Sequence, residues 1–285
     1  MKKIIDYWIS RIVLGIIACV LGTFVIKEFV TQPLLQLMLD SEELRNGIQQ
    51  LLSGVLIIAI YYFVYKGLEK RKLQELGLDT FGKDMSLGLL IGFGLISLCM
   101  LILYGLGYYQ INGMNSPSVI LLPFTLLVSA ALLEEFVFRG VIYRILEERF
   151  GTNIALFQAL IFGVVHYANV NATVSSVGFV ILFGVVLSLM YTYTQKLWLP
   201  FSFHLGWNFA QTVYGTTLSG DTSFDAFLYT EFNGSAFFIG SEFGIEDSFF
   251  SFLFISILAI YLYWVCKKNG KLKFPNTKLH PHTSN

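Results

Sequence analysis

Apolar residues fall into eight long runs along the chain, separated by short polar stretches. Each run is long enough, or nearly long enough, to cross about 30 Å of hydrocarbon at about 1.5 Å of helical rise per residue. We therefore predict an all-α integral membrane protein with eight transmembrane helices. The runs lie near residues 8–27, 48–66, 86–108, 118–143, 154–169, 174–194, 197–214 and 249–266.

The charges between these runs predict an orientation. Lysine and arginine collect before the first run, between the second and third, and after the fourth, sixth and eighth. The loops at 109–117, 169–173 and 215–248 contain neither residue, and the last of them is acidic. Because short cytoplasmic loops are enriched in lysine and arginine, we predict that both termini are cytoplasmic and that these three loops lie outside.

Composition agrees with a membrane protein. The chain is 55% hydrophobic and only 13% charged, which leaves too few charges to cover a soluble domain. Cys19, Cys99 and Cys266 each lie in an apolar run without metal-ligand spacing. We interpret them as small hydrophobic side chains, not as disulfides or zinc ligands, and we predict no nucleic-acid partner.

Domain organisation is simple. We predict one polytopic domain over residues 1–285, with a catalytic core at about 118–214 and no internal repeat. The polar, proline-containing residues 271–285 predict a disordered tail. The first run reaches Ile26 without a small-residue cleavage pattern, so we predict a retained helix and not a signal peptide.

The fourth run carries three charges, Glu134, Glu135 and Arg139. Charges at membrane depth are costly unless they are paired or face a wet cavity, so they indicate a functional site. Glu135 and Arg139 are four residues apart and share a helix face, whereas Glu134 points about 100° away. We predict that the pair is structural and that Glu134 is available for chemistry.

Two other runs carry polar residues at the same spacing, Phe162 with His166 and His204 with Asn208. Counted from the predicted cytoplasmic ends, these polar groups and Glu134 lie roughly 10–18 Å deep. A carboxylate and an imidazole can take a proton from water, and a second imidazole and an amide can donate to an oxyanion. The shared depth and the chemical types predict one hydrolytic site.

Other interpretations of these residues stay open. An intramembrane histidine or asparagine commonly serves as a hydrogen-bonding group between helices, and a carboxylate with a histidine would also suit the proton relay of a small transporter. The sequence contains no HExxH zinc motif, no GxSxG serine elbow and no membrane-embedded pair of aspartates. Glutamate is therefore the remaining candidate base of a protease.

The three motifs resemble those of one family. EExxFRG at Glu134–Gly140, FxxxH at Phe162–His166 and HxxxN at His204–Asn208 follow one another in the order found in the CPBP family. That family contains the type II CAAX prenyl proteases and the bacteriocin-processing Abi proteins. The resemblance implies an eight-span helical fold with a cavity open towards the cytoplasmic leaflet, and glutamate-type endopeptidase activity.

The resemblance also implies a role for each residue. Glu134 would activate a water that His166 helps to bind and orient. His204 and Asn208 would form the oxyanion hole. The residues that would support this geometry are Glu135, Arg139 and Phe162. An older interpretation of the family assigns its glutamate and histidines to zinc; we predict no cofactor, with a zinc-dependent version as the alternative.

We therefore predict an intramembrane endopeptidase that hydrolyses membrane-associated peptides or proteins, with or without a lipid group. The lysine-rich N-terminus and compact loops suggest a bacterial inner membrane. The alternative from a different class is a proteolytically silent protein that binds a peptide in immunity or scaffolds another membrane protein.

Overall fold

The computed structural model describes residues 7–222 and 225–275, which are almost entirely helical. Within this part of the chain, a long helix occupies each of the eight predicted runs. The helices are α1 Trp8–Met38, α2 Glu42–Glu69, α3 Phe81–Gly105, α4 Pro117–Phe150, α5 Thr152–His166, α6 Val174–Thr194, α7 Trp198–Tyr214 and α8 Phe249–Lys268. Strands β1 Tyr109–Met114 and β2 Leu228–Phe232 pair antiparallel. The predicted all-α class is confirmed apart from this small two-stranded sheet.

Six of these helices, all except α5 and α7, are long and apolar enough to cross a membrane. The 17 residues of α7 extend about 25 Å, which is less than the about 30 Å of a hydrocarbon core. The protein is a multi-pass membrane protein, but eight crossings are not confirmed. The orientation stays a prediction.

The two shorter helices, α5 and α7, nevertheless run from one end of the bundle to the other, as the long helices do. Lys196, just before α7, pairs with the loop before α3, and Thr152 at the start of α5 pairs with Lys273 after α8. At the opposite end, Asn169 after α5 donates to the carbonyl of Ser219 after α7. We call the end with Lys196 the basic end and the end with Ser219 the acidic end.

Helices α3 and α7 cross with their backbones in contact. A Cβ atom on Gly92 would lie 2.2 Å from the carbonyl oxygen of Phe203, and one on Gly206 would lie 2.8 Å from that of Leu89. Gly88, one turn earlier on α3, packs equally closely on α7. Small residues four apart allow such crossings in membranes. The crossing fixes α7, which carries one of the predicted motifs.

Buried charges at the basic end form a paired group, the arginine cluster, which consists of Tyr61, Glu69, Arg71, Glu75 and Arg144. Arg144 donates to both carboxylate oxygens of Glu69, at 3.1 and 2.9 Å. Arg71 donates to both oxygens of Glu75, at 2.8 and 2.5 Å, and the Tyr61 hydroxyl adds a bond of 2.8 Å. These contacts join α2 and α4 to the loop before α3.

The predicted tail begins with contacts at the basic end. The Thr152 amide donates to the Lys273 carbonyl at 3.0 Å, and the Lys273 amide donates to the Thr152 hydroxyl at 2.9 Å. The Lys273 ammonium also lies 3.0 Å from Glu147. Residues 271–275 therefore pack on the bundle, and the rest of the predicted tail lies outside the described residues. The boundaries of the single domain and its core stay predictions.

Candidate active site

Helix α4 changes its winding immediately after its two glutamates. The α-helical part, Leu121–Glu135, continues as a π-helical segment over Phe136–Tyr143. Such wider turns are rare and occur frequently at functional sites. Every residue of the π-helical segment is buried, so the change turns the charged part of α4 into the interior.

The predicted pair of Glu135 and Arg139 forms and extends to three other helices. Arg139 donates to Oε1 of Glu135 at 3.0 Å, with both side chains fully buried. The same oxygen lies 2.9 Å from Nδ1 of His204. Arg139 also donates to the Gly184 carbonyl on α6 and lies over the Phe162 ring, 4.3 Å from its centroid. Arg139 therefore contacts both other supporting residues, and Glu135 holds His204.

Glu134 faces both histidines without a direct hydrogen bond. Its Oε2 lies 3.7 Å from Nε2 of His166 and 3.9 Å from Nε2 of His204, beyond normal hydrogen-bond length. This oxygen has no hydrogen-bond partner among the described residues. A water molecule can bridge polar groups separated in this way. The structure thus brings together three predicted site residues from three helices.

The other nitrogen of each imidazole determines what Nε2 can do. Nδ1 of His166 lies 2.7 Å from the Phe162 carbonyl, and Nδ1 of His204 contacts the Glu135 carboxylate. A carbonyl or an ionised carboxylate only accepts, so Nδ1 is the donor in both rings. Each Nε2 therefore accepts a hydrogen bond when its ring is neutral and donates one when its ring is protonated.

Asn208 lies one turn after His204 on α7 and faces the same space. Its side chain makes no hydrogen bond to any residue in 7–222 or 225–275. The amide hydrogens are therefore available to a bound molecule. All four predicted catalytic residues, Glu134, His166, His204 and Asn208, line one cavity.

The cavity has a volume of about 590 Å³ and runs from Glu134 towards the acidic end. Residues 168–170 and 218–222, which belong to loops at that end, form part of its wall. The charge pattern predicts that these loops lie outside the cytoplasm. With that predicted orientation, the cavity would extend towards the outer side of the membrane, whereas the resemblance implies an opening towards the cytoplasmic leaflet; both the orientation and the opening stay predictions.

Glu246 is a cavity residue that the sequence patterns did not single out. It lies in a short 3₁₀ turn of the acidic loop, only 4% exposed. Trp207 and Gln211 of α7 donate to its Oε1 at 3.2 and 3.1 Å, and Ser219 donates to its Oε2 at 2.6 Å. Burial raises the pKa of Glu246, and these hydrogen bonds oppose the shift. The one sequence signal is its position next to apolar Ile245.

A metal site is the alternative use of these donors. Within residues 7–222 and 225–275, no group of three or more histidine, cysteine, aspartate or glutamate side chains has the arrangement of a metal site. The expectation that no cofactor is needed stays a prediction.

Comparison with known proteins gives one match. Residues 116–210 match the family model described as type II CAAX prenyl endopeptidase Rce1-like. The matched segment runs from the start of α4 into α7 and includes every site residue predicted from the sequence. No curated protein and no solved structure matches the chain. The family match confirms the predicted resemblance and supports protease activity on a peptide or protein in a membrane setting.

Proposed function

We propose that the Rce1-like domain at residues 116–210 makes this membrane protein a glutamate-type intramembrane endopeptidase. Its substrates would be peptides or proteins associated with the membrane, and the compact loops and basic N-terminus favour a bacterial inner membrane. One observation carries the proposal: the Glu134 carboxylate faces the imidazoles of α5 and α7 at 3.7 and 3.9 Å inside one cavity.

Glu134 and His166 would prepare the attacking water. With a neutral His166, Nε2 and the Glu134 carboxylate are both acceptors, so one water molecule can donate a hydrogen to each. The water then presents its lone pair to the peptide carbonyl. As the oxygen–carbon bond forms, the proton moves to Glu134, which later gives it to the leaving amine.

His204 and Asn208 would stabilise the oxyanion that this attack creates. The free amide of Asn208 can donate one hydrogen bond. Nε2 of His204 can donate the second when the ring carries both protons, while Nδ1 stays bound to the Glu135 carboxylate. Donors that are held in place before the reaction stabilise such charge most effectively. In this mechanism Glu135 is a positioning residue for His204.

The decisive experiment compares the intact protein with Glu134→Gln, which keeps the shape of the side chain and removes its basicity. New N-termini in the membrane peptidome would be identified by mass spectrometry, and turnover of the best substrate would be measured in proteoliposomes. We expect a loss of about 10²–10⁴ in turnover. Glu148→Gln, on the same helix at the basic end, serves as the matched control. Native turnover by Glu134→Gln would overturn the proposal.

Two further outcomes separate the alternatives. Full activity in the presence of a chelator supports the metal-free mechanism, whereas a loss that added zinc restores supports the zinc-dependent version. Peptide binding without new N-termini, identical in the intact protein and Glu134→Gln, would instead show a proteolytically silent peptide-binding protein.

A further inference from the structure

Glu246 differs from other buried glutamates in its partners. Three buried glutamates each contact an arginine or a lysine; they are Glu75, Glu135 and Glu147. Among the described residues, the hydrogen-bond partners of Glu246 are the neutral side chains of Trp207, Gln211 and Ser219. A buried carboxylate normally requires a compensating positive charge. No salt bridge joins Glu246 to a lysine or an arginine within residues 7–222 and 225–275.

The carboxylate has the capacity for such a partner. A carboxylate accepts about four hydrogen bonds, and Glu246 receives two at Oε1 and one at Oε2. Its side chain lines the same cavity as His166 and Asn208. A positive group that enters this cavity can therefore reach Glu246 without displacing its neutral partners.

The charge of the whole cavity wall favours a positive ligand. Its ionisable side chains are Glu134, Asp221 and Glu246 with the two histidines, and no described lysine or arginine contributes to it. The 215–248 loop, which forms the wall at the acidic end, contains no basic residue in its sequence. Low-dielectric clefts in which one sign of charge predominates attract ligands of the opposite sign, and the three carboxylates of this wall outnumber one protonated histidine.

We propose that Glu246 forms a specificity subsite for a lysine or arginine side chain of the substrate. The basic residue would lie between the scissile bond and the acidic end of the bundle, because Glu246 is held in the loop at that end. The volume of about 590 Å³ lies within the range of roughly 300–1,000 Å³ that is usual for ligand pockets. This inference rests on the proposed function and names the class of peptide that the site would select.

Binding to a cleavage-deficient protein tests the subsite directly. The probes are fluorescent apolar peptides of one sequence, in which a single lysine is moved to each position in turn, with glutamine-containing counterparts. Their affinity for full-length Glu134→Gln protein in nanodiscs would be measured by anisotropy. For at least one position, we expect lysine to improve affinity by about tenfold or more, since hydrogen bonds between oppositely charged groups are stronger than those between neutral groups.

Variants identify the group responsible. Adding Glu246→Gln should abolish the preference for lysine, whereas adding Glu242→Gln should keep it. Glu242 is the matched control because it lies in the same loop but is exposed and does not line the cavity. Equal affinity for lysine and glutamine peptides, no binding by any peptide, or a preference that survives Glu246→Gln would each overturn the proposal.

A second measurement avoids any change to the protein. If Glu246→Gln lowers the melting temperature so far that the protein unfolds, acetylation of the peptide lysine removes the charge instead. Acetylated and free lysine peptides with equal affinity would then overturn the subsite.

The outcomes also separate this inference from the proposed function. A lysine preference in binding, without cleavage of the bound peptide by the intact protein, would support the subsite and contradict the peptidase. Cleavage that depends on Glu134 but is equal for lysine and glutamine peptides would support the peptidase and contradict the subsite.

Discussion

Two groups of charges that include residues of α4 differ in how completely their polar atoms are paired. In the arginine cluster, every carboxylate oxygen of Glu69 and Glu75 accepts a hydrogen bond from an arginine or a tyrosine. The second group, which we call the Glu134 cluster, consists of Glu134, Glu135, Arg139, His166 and His204. In it, one oxygen of each glutamate and Nε of Arg139 lack a partner among the described residues.

The difference indicates what each cluster does. Fully paired buried networks make a fold rigid and specific, whereas buried polar atoms without partners are costly and occur where function requires them. Changes in the arginine cluster should therefore reduce stability, and changes at the unpaired groups of the cavity, Glu134 and the neighbouring Asn208, should mainly reduce activity. Four predictions test this contrast, from the largest expected effect to the smallest.

Arg144→Met should have the largest effect on stability. Arg144 is only 2% exposed and donates to Glu69 and to the Gly140 carbonyl, so its loss leaves Glu69 with only the partly exposed Arg11 and Arg71 as positive partners. We expect a loss of about 3–5 kcal/mol in the free energy of unfolding, measured by denaturant unfolding in detergent. Turnover per folded molecule should change little, and an unchanged unfolding midpoint would contradict the structural role.

Asn208→Ala should show the opposite pattern. The Asn208 amide has no hydrogen bond within the described residues, so its removal breaks no existing contact of that kind. Loss of one oxyanion donor costs about 10²–10³ in turnover. The melting temperature should stay that of the unaltered protein. If Asn208→Ala were unstable but fully active when folded, Asn208 would have a structural role and not a role in stabilising the oxyanion.

Acid should weaken the arginine cluster through Glu75. Burial alone would raise the pKa of Glu75, but hydrogen bonds from Arg71 and the charges of Arg144 and Arg71 lower it below the usual 4.5. A lowered pKa means that the stabilisation is present above the unfolded-state value and is lost as pH falls through the folded-state value. We expect the free energy of unfolding to decrease as pH falls below 4.5.

Glu75→Gln provides the comparison for this titration. The variant should be less stable at neutral pH, and its stability should depend less on acid than that of the unaltered protein. Parallel pH profiles for the two proteins would show that other carboxylates cause the acid sensitivity.

Glu148→Gln should have the smallest effect. The Glu148 carboxylate pairs with Arg144 at 3.0 Å, but its side chain is 39% exposed. Exposed ion pairs contribute about 0–1 kcal/mol, so both unfolding and turnover should stay close to those of the unaltered protein. A loss of stability comparable to that of Arg144→Met would show that the exposed pair of Glu148 with Arg144 stabilises the protein as much as the buried contacts of Arg144 do.

Helical spacing explains how much of the site could be predicted. Residues four apart share a helix face, so the pairing of Glu135 with Arg139 follows from sequence, and Glu134 indeed points to a different partner set. The bond between Glu135 and His204 could not be predicted in the same way, because it depends on how α4 and α7 pack. Glu246 could not be predicted because it lies in the acidic loop, and the helical pattern does not indicate that this loop folds back into the bundle.

The fold shows the same limit. Apolar runs predicted the positions of all eight helices, because burial in lipid requires long apolar stretches. The π-helical segment after Glu135 could not be predicted from that pattern. Apart from Arg139 and the small Gly140, all of its residues are apolar, as in an ordinary membrane helix. The direction of the cavity depends on loops whose folding no periodicity describes.

The backbone contact between α3 and α7 has a consequence for motion. Gly92 of α3 and Gly206 of α7 each contact the backbone of the other helix. The two helices should therefore move together as one rigid unit. Helix α5 packs mainly on α6. A movement that admits a bulky peptide would therefore begin at α5. In such a movement His166 would shift with α5, and His204 would stay in place on α7.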